Sequence, residues 1–316
     1  MPTTIKEVAD EADVSVATVS HVINGTRYVS PELTERVQDA IDKLDYRTNA
    51  VARSLKTTKT RTVGLIVSDI TNPFFSSMVR GVEDALMEQN HGMLIFNTDE
   101  SRARESLAVE VLQERQMDGF IIAPSGKQSE IFSSLASKGV PFVFVDRKLN
   151  QVPCDCVLSE NKSGAYKATQ HLLELGHRSI GVISGIEEVS TTNERTMGFK
   201  QAIEGSSLAS LKDQSILPGG SEVDQSREAA KSLLSTKDIS AIFATSNVMT
   251  IGAIQAITRT GLSCPEDISL VGFDDFVWAS SFRPTLTVVD QKPYKMGQEA
   301  TDLLFDRLEN DESTTE

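Results

Sequence analysis

Cysteine is scarce. Cys154, Cys156 and Cys264 are the three in 316 residues. An odd count with no framework spacing excludes a disulfide-stapled secreted domain and fits a reducing compartment. Cys154-Asp155-Cys156 has the spacing of half a metal site, but no second Cys/His pair complements it, so it reads as plain thiols near a strand. No apolar run approaches the roughly 18–20 residues that a membrane span needs. The start, Met1-Pro2-Thr3-Thr4-Ile5-Lys6-Glu7, lacks a basic segment followed by an apolar core, which predicts a cytoplasmic chain. The phosphate-cradling G-x-x-x-x-G-K-S/T, the dinucleotide G-x-G-x-x-G and the nucleophile elbow G-x-S-x-G are all missing. His21, His91, His171 and His177 show no metal spacing. Asp274-Asp275 would point apart at a strand end rather than work as a pair. No enzyme, metal or cofactor is therefore expected. Positive charge is also short: 31 Lys plus Arg against 45 Asp plus Glu leave −14. That excludes a generally basic nucleic-acid coat or a polybasic membrane binder, but not a small DNA-binding module on an acidic body.

What is present is ordinary globular composition, 39% hydrophobic and 24% charged, enough for two or three folded units. The first 46 residues read as short helices. Thr4-Ile5-Lys6-Glu7 is a capping box, and a helix follows to about Ala12. Asp13-Val14-Ser15 is a turn. Ser15 caps a second helix, Val16 to about Asn24, with Val19, Val22 and Ile23 as its apolar face and Asn24-Gly25 as its stop. Ser30-Pro31-Glu32 starts a third, with Leu33, Val37, Ala40, Ile41 and Leu44 as its stripe. Helix, short turn, helix is the spacing of a helix-turn-helix, whose second helix enters the major groove. A helical cap on a larger body has the same spacing.

From Val63 onward, apolar runs of strand length alternate with helical stretches. The runs are Val63–Val67, Met93–Phe96, Gly119–Ala123, Phe142–Val145, Ile180–Ser184, Ala241–Thr245, Ser269–Phe273 and Leu286–Val289. That alternation predicts parallel sheets with helices on both faces. Val63-Gly64-Leu65-Ile66-Val67-Ser68 and Ile180-Gly181-Val182-Ile183-Ser184-Gly185 look alike and read as first strands of two similar lobes. A ligand would sit between them, at carboxyl ends of strands. Residues 1–46 carry −5, residues 47–61 carry +5 without a single acid, and 62–316 carry −14. The acid-free stretch reads as a phosphate-contacting linker or as a solvated flexible one.

Several segments resemble the lactose-repressor (LacI/GalR) family of bacterial transcription regulators. They are Thr4-Ile5-Lys6-Glu7-Val8-Ala9, Val14–Gly25, Asn49-Ala50-Val51-Ala52-Arg53-Ser54-Leu55-Lys56, Asn72-Pro73-Phe74-Phe75, Leu175-Gly176-His177-Arg178 and Val271-Gly272-Phe273-Asp274-Asp275. The resemblance spans essentially the whole chain. It implies an α/β protein: an N-terminal all-α helix-turn-helix domain (1–46), a hinge helix or linker (47–61), and two Rossmann-like parallel-sheet lobes of the periplasmic-binding-protein type (62–316). Val16, Ala17 and His21 would face bases, and Thr4, Ser15, Thr18, Asn24, Tyr28 and Ser30 would hold phosphates. Asn49, Ala52, Arg53, Leu55 and Lys56 would form the hinge contacts, with Leu55 wedged into the minor groove. Leu55 also reads as an ordinary apolar residue of a short helix.

The effector site implied is of the ribose-binding type: Asn72, Phe74, Phe75, Asp146, Arg147, Arg195, Asn247, Asp274 and Gln291. Two carboxylates facing two guanidiniums, with amides between, suit a neutral sugar or polyol rather than a phosphate. Taken singly, Asp146-Arg147 reads equally as a local ion pair, Arg195 as a helix-surface residue, Asn247 as a turn former and the two Phe as core. This chain departs from the family pattern in four places. Val248 follows Asn247 where Asp is common, Ala123 stands where a ribose-type site has Asn, and Thr48 replaces the Pro before the hinge. The sequence also stops at Glu316, where relatives usually continue into one more strand. The expected protein is a cytoplasmic, nucleoid-associated homodimeric repressor of a pseudo-palindromic operator, controlled by a small sugar or polyol. The alternatives are a purine or protein corepressor, or a sugar-binding transport protein with the same core.

Overall fold

The computed structural model describes residues 3–46, 60–126, 129–206, 215–236, 239–276, 279–281 and 283–313, without the side chains of 129 and 310–313. The chain divides into two compact units, Met1–Thr60 and Arg61–Glu316.

The first unit holds α1 (Ile5–Glu11), α2 (Val16–Asn24) and α3 (Pro31–Lys43). Each begins at a side-chain cap. Thr4 and Glu7 form a reciprocal capping box, Ser15 Oγ accepts from Thr18 N at 3.1 Å, and Ser30 precedes Pro31 at the first helical position. Gly25 closes α2 in the left-handed conformation, φ 63°. A small core of Val8, Ala9, Ala12, Val19, Val37 and Ala40 joins the three helices. Ile41 and Leu44 pack against it, while Leu33, expected in the same stripe, is half-buried and does not join it. Arg36 clamps the inter-helix turn: Nη2 donates to Ala12 O at 2.7 Å and Asp13 O at 3.2 Å.

Among the described residues, the second unit contains two five-stranded sheets. The first has β1 (Thr62–Val67), β2 (Gly92–Asn97), β3 (Gly119–Ile122), β4 (Phe142–Val145) and β5 (Asp155–Val157). The second has β6 (Ile180–Ser184), β7 (Ser215–Pro218), β8 (Ala241–Ala244), β9 (Ser269–Phe273) and β10 (Thr287–Val289). The orders are β2-β1-β3-β4-β5 and β10-β9-β8-β6-β7. Counted from each lobe's first strand, these are the same order, 2-1-3-4-5, and every pairing is parallel. Parallel strands are covered on both faces, so β1, β4 and β8 read as unbroken apolar runs. Alternation still sorts their side chains. Val63, Leu65 and Val67 enter one core layer, and Ile66 enters the opposite one.

The eight strands expected from sequence are present. β5 and β7, both at sheet edges, were not anticipated. β5 has only three residues, and β7 ends in Pro218, which an edge position tolerates because no ladder donor is needed there.

Helices cover the sheets. Those used below are α4 (Pro73–Glu88), α5 (Arg102–Glu114), α6 (Ser129–Ser137), α7 (Asn161–Glu174), α8 (Ser190–Glu204), α9 (Val223–Leu234), α10 (Asn247–Arg259) and α11 (Pro293–Ser313). After β10 the chain crosses back, and Met296, Ala300 and Leu304 of α11 join the core of the first lobe. α4 and α11 touch backbone to backbone. A Cβ on Gly297 would lie 2.2 Å from Met78 O, and one on Gly81 would lie 2.0 Å from Tyr294 O. Gly297→Ala should therefore force the helices apart and cost about 1–3 kcal/mol, the usual penalty of overpacking. The urea midpoint should fall with an unchanged slope. An unchanged midpoint would mean that the two helices can separate freely.

Candidate functional site

α2 presents an open face. Val16 and Ala17 are exposed and Thr18 and His21 half-buried, while Val19, one position round the helix, is buried in the core. His21 Nδ1 lies 2.8 Å from Thr26 Oγ1, a contact that orients the ring. Thr4 and Ser15 hold helix N-termini, and Asn24 Nδ2 donates to Ser20 O at 2.8 Å. Tyr28 is 89% exposed, an apolar ring left without cover. Ser30 caps α3. Asn49, Ala52, Arg53, Leu55 and Lys56 lie outside the described residues, as does Thr48.

Between the two lobes lies a cavity of about 480 Å³, at the carboxyl ends of both sheets. This is where a 2-1-3-4-5 sheet has its topological switch point, because connections leave in opposite directions from its first strand. The loop after β1 brings Ser68 and Asn72 to the wall, and the loop after β6 brings Gly185. Asp146 follows β4 and Asp274 follows β9, the fourth strand of each lobe. Both take left-handed backbone, φ 64° and 75°. Each donates its N–H to the next strand, Asp146 to Val157 O at 2.9 Å and Asp274 to Val289 O at 2.8 Å. The turn ends each strand and directs a buried carboxylate into the cavity.

The arginines are held by protein acceptors. Arg147 meets Glu100 through two parallel bonds, Nη1 to Oε2 at 2.7 Å and Nη2 to Oε1 at 2.8 Å. Its Nη1 also reaches Ser68 Oγ at 3.0 Å. Arg195, on α8, donates from Nε to Asn161 Oδ1 at 2.9 Å and from Nη1 to Thr245 O at 2.7 Å. Its guanidinium lies over the Phe273 ring, 3.9 Å from the centroid. Asp274 accepts from Asn247 N at 3.2 Å and from Gln291 Nε2. Gln291 Oε1, on the same wall, is buried with no hydrogen-bond partner among the described residues.

Residues 60–316 match the family described as periplasmic binding proteins and sugar binding domain of LacI family, and residues 4–49 match bacterial regulatory proteins, lacI family. The chain belongs to the LacI family. It is 35% identical over 309 residues to the HTH-type transcriptional repressor PurR of Aliivibrio salmonicida, covering 97% of this chain and 92% of that one. It is 37% identical over 309 residues to the ribose operon repressor of Halalkalibacterium halodurans, with 97% and 91% covered. A solved complex of the transcriptional regulator CelR with cellobiose is 31% identical, with TM-score 0.72 over 98% of this chain and 94% of that one. This LacI-family member is thus a DNA-binding transcriptional repressor with a small-molecule effector core, not an enzyme.

Of the nine residues that the LacI resemblance nominated, the structure brings eight to the cavity wall. The ninth, Asn247, is buried behind it, where its Nδ2 donates across the lobes to Asn72 Oδ1 at 2.6 Å. Val248, the departure beside it, lines the cavity, whereas Ala123 is fully buried in the first lobe's core. Phe74 and Phe75 belong to that core as well as to the wall. Sequence reading missed Glu100, Asn161, Phe273 and the Thr245 carbonyl. Glu100 changes the charge count beside Arg147, and with Asp69, Asp99, Asp146, Glu222 and Asp274 it makes six acidic residues on a wall that holds two arginines. No spacing rule links Glu100 to Arg147, which are 47 positions apart. Phe273 adjoins Asp274 and was the one detectable in principle.

Burial raises the Asp146 carboxyl above the ordinary range, against the pull of Arg147 and Arg195. Burial lowers Arg195, partly offset by Asp274 and Asp146. Burial also pulls Arg147 down, but Glu100 and Asp146 outweigh it and the net shift is upward. A carboxyl raised on folding holds its proton in a window where the unfolded chain has lost it, so stability falls as pH rises through that window. Asp146→Asn should therefore melt higher than wild type at neutral pH. The gap should close as pH drops below the unfolded carboxylate value, where both side chains are neutral. Melting temperature against pH for the two proteins checks this, and a variant that melts lower at neutral pH would contradict it.

Proposed function

We propose that this repressor acts as a homodimer on a pseudo-palindromic operator, and that a neutral sugar or polyol in the inter-lobe cavity controls its operator affinity. The parts are a reading domain (1–46), a hinge (47–61) and an effector core (62–316). Val16, Ala17 and His21 would meet base edges. Val16 and Ala17 offer only apolar contact, as to a thymine methyl. Thr4, Ser15, Thr18, Asn24, Tyr28 and Ser30 would approach the phosphates. The hinge residues Asn49, Ala52, Arg53, Leu55 and Lys56 would follow the minor groove and backbone.

One observation carries the effector reading. Arg147 gives both terminal nitrogens, and Arg195 gives Nε and Nη1, to protein acceptors, while Asp146 and Gln291 Oε1, without a partner among the described residues, remain as acceptors beside the unbonded Arg147 Nε. Such a wall suits a ligand rich in hydroxyl donors. The purine alternative, favoured by the likeness to PurR, needs a stacking face. Phe74 and Phe75 meet edge to face at 5.1 Å and are each 4% exposed, so little ring is offered. The likeness to the ribose operon repressor and to CelR with cellobiose points the same way as the wall.

Ligand closure of the lobes would alter the hinge and change operator affinity by a coupling of about 1–3 kcal/mol. One short helix per half-site makes too few contacts alone, so footprinting should show two half-sites about 34 Å apart, bound together. Protection of a single half-site by monomer would refute the dimer. Arg195→Ala should weaken effector binding about 5- to 150-fold, as expected when buried groups lose a partner. Operator binding without effector should persist. Calorimetry with pentoses, hexoses and purines, run beside operator binding, tests the assignment, and a tight purine with silent sugars would overturn it.

A further inference from the structure

We propose that Glu100 is the charge filter of the cavity: its carboxylate occupies the fork of Arg147 and so keeps anionic ligands out. The inference rests on the cavity being the effector site. Glu100 sits just past β2 in a turn where Asp99 and Glu100 are both left-handed, φ 48° and 56°. Two successive non-glycine residues keep that backbone only where their surroundings hold them. What holds Glu100 is Arg147, through a two-bond fork between side chains only 12% and 14% exposed. Planar, bidentate pairing of this kind is what guanidinium would otherwise offer a ligand's carboxylate or phosphate.

Arg147 has further neighbours on the same wall, although its Nε makes no hydrogen bond among the described residues. Nη1 reaches Ser68 Oγ at 3.0 Å and Pro124 O at 3.3 Å, and Nε lies 3.3 Å from Asp146 Oδ2. An anionic ligand could reach the fork only by expelling Glu100. That would strand a carboxylate in a wall that already holds Asp146 and Asp274. A neutral polyol makes no such demand. Selectivity of this sort is built by an unfavourable charge against the wrong ligand as much as by contacts to the right one. Sugar acids and sugar phosphates are the excluded class.

Two substitutions test it, read by melting temperature and by calorimetry of the full chain. Glu100→Gln removes the charge and leaves part of the fork free. It should bind ribose 5-phosphate and gluconate at least about tenfold more tightly than wild type does. Glu100→Ala leaves a carboxylate-sized gap opposite the fork. Formate or acetate should raise its melting temperature in a saturable way and leave that of wild type unmoved. The acetate experiment stands even if Glu100→Gln fails to fold. If the variants fold and show neither gain, or if wild type binds the anions as well as they do, the filter is overturned. Wild-type binding of neutral sugars, measured alongside, separates the two claims. Gains in the variants without any neutral sugar bound uphold the filter and sink the sugar reading. Neutral sugars bound without gains do the reverse.

Discussion

A guanidinium enclosed by protein must have its donors met, because leaving one unpaired in a low dielectric costs more than the pairing gains in water. The inter-lobe cavity is organised around two such groups, Arg147 from the first lobe and Arg195 from the second. Their partners come from far along the chain: Glu100 after β2, Ser68 after β1, Asn161 at the start of α7 and the carbonyl of Thr245 after β8. The demand of each arginine therefore determines which loops can close around it. A wall built this way offers acceptors to its contents, since both terminal nitrogens of Arg147 and two nitrogens of Arg195 are already bonded, while Arg147 Nε is buried without a hydrogen bond among the described residues.

The two lobes solve the same problem twice. Matching strand order places matching loops at the cavity, and a left-handed aspartate ends the fourth strand of each. The copies differ in their bonding. Asp274 is tied to Asn247 and Gln291, whereas Asp146 faces Arg147 at an ion-pair distance and pays for its burial with a raised pKa. Bonds also cross between lobes. Asn72 meets Asn247, and Lys148 donates its backbone N–H to Ser190 Oγ at 3.2 Å while its ammonium lies 3.4 Å from Glu194. These contacts form only when the lobes approach, so the wall residues and the closure of the cavity are physically linked. The chain passes between lobes at both β5–α7 and β10–α11, and the close fit of α11 on α4 anchors the second passage.

The N-terminal unit rests on local chemistry instead. Its caps, its Pro31 start and its Gly25 stop are satisfied within a few residues of themselves. Six buried side chains complete its core. With so little to bury, the outward face of α2 is left free of packing duties, and Val16 and Ala17 remain uncovered.

Much was legible in the residues alone, where the signal is local. Capping boxes, a turn between short helices, and alternating strand and helix runs need only near neighbours, and the helices of the first unit and eight of the ten described strands follow from them. β5 and β7 escaped because Asp155-Cys156-Val157 and Ser215-Ile216-Leu217-Pro218 are short and begin or end in polar residues or Pro, whereas the other two edge strands, β2 and β10, lie in longer apolar runs. Nominated positions such as Asp146, Arg195 and Asp274 lie at strand ends or on helices that the pattern already places. Tertiary structure alone decided what those residues do to one another. Glu100 joins Arg147 across 47 positions, Asn247 retreats behind Asn72 across 175, and Ala123 sinks into a core. Periodicity reports which face of an element is buried. Which loops meet at the ends of two sheets depends on strand order and twist, and those exist only once distant segments have packed together.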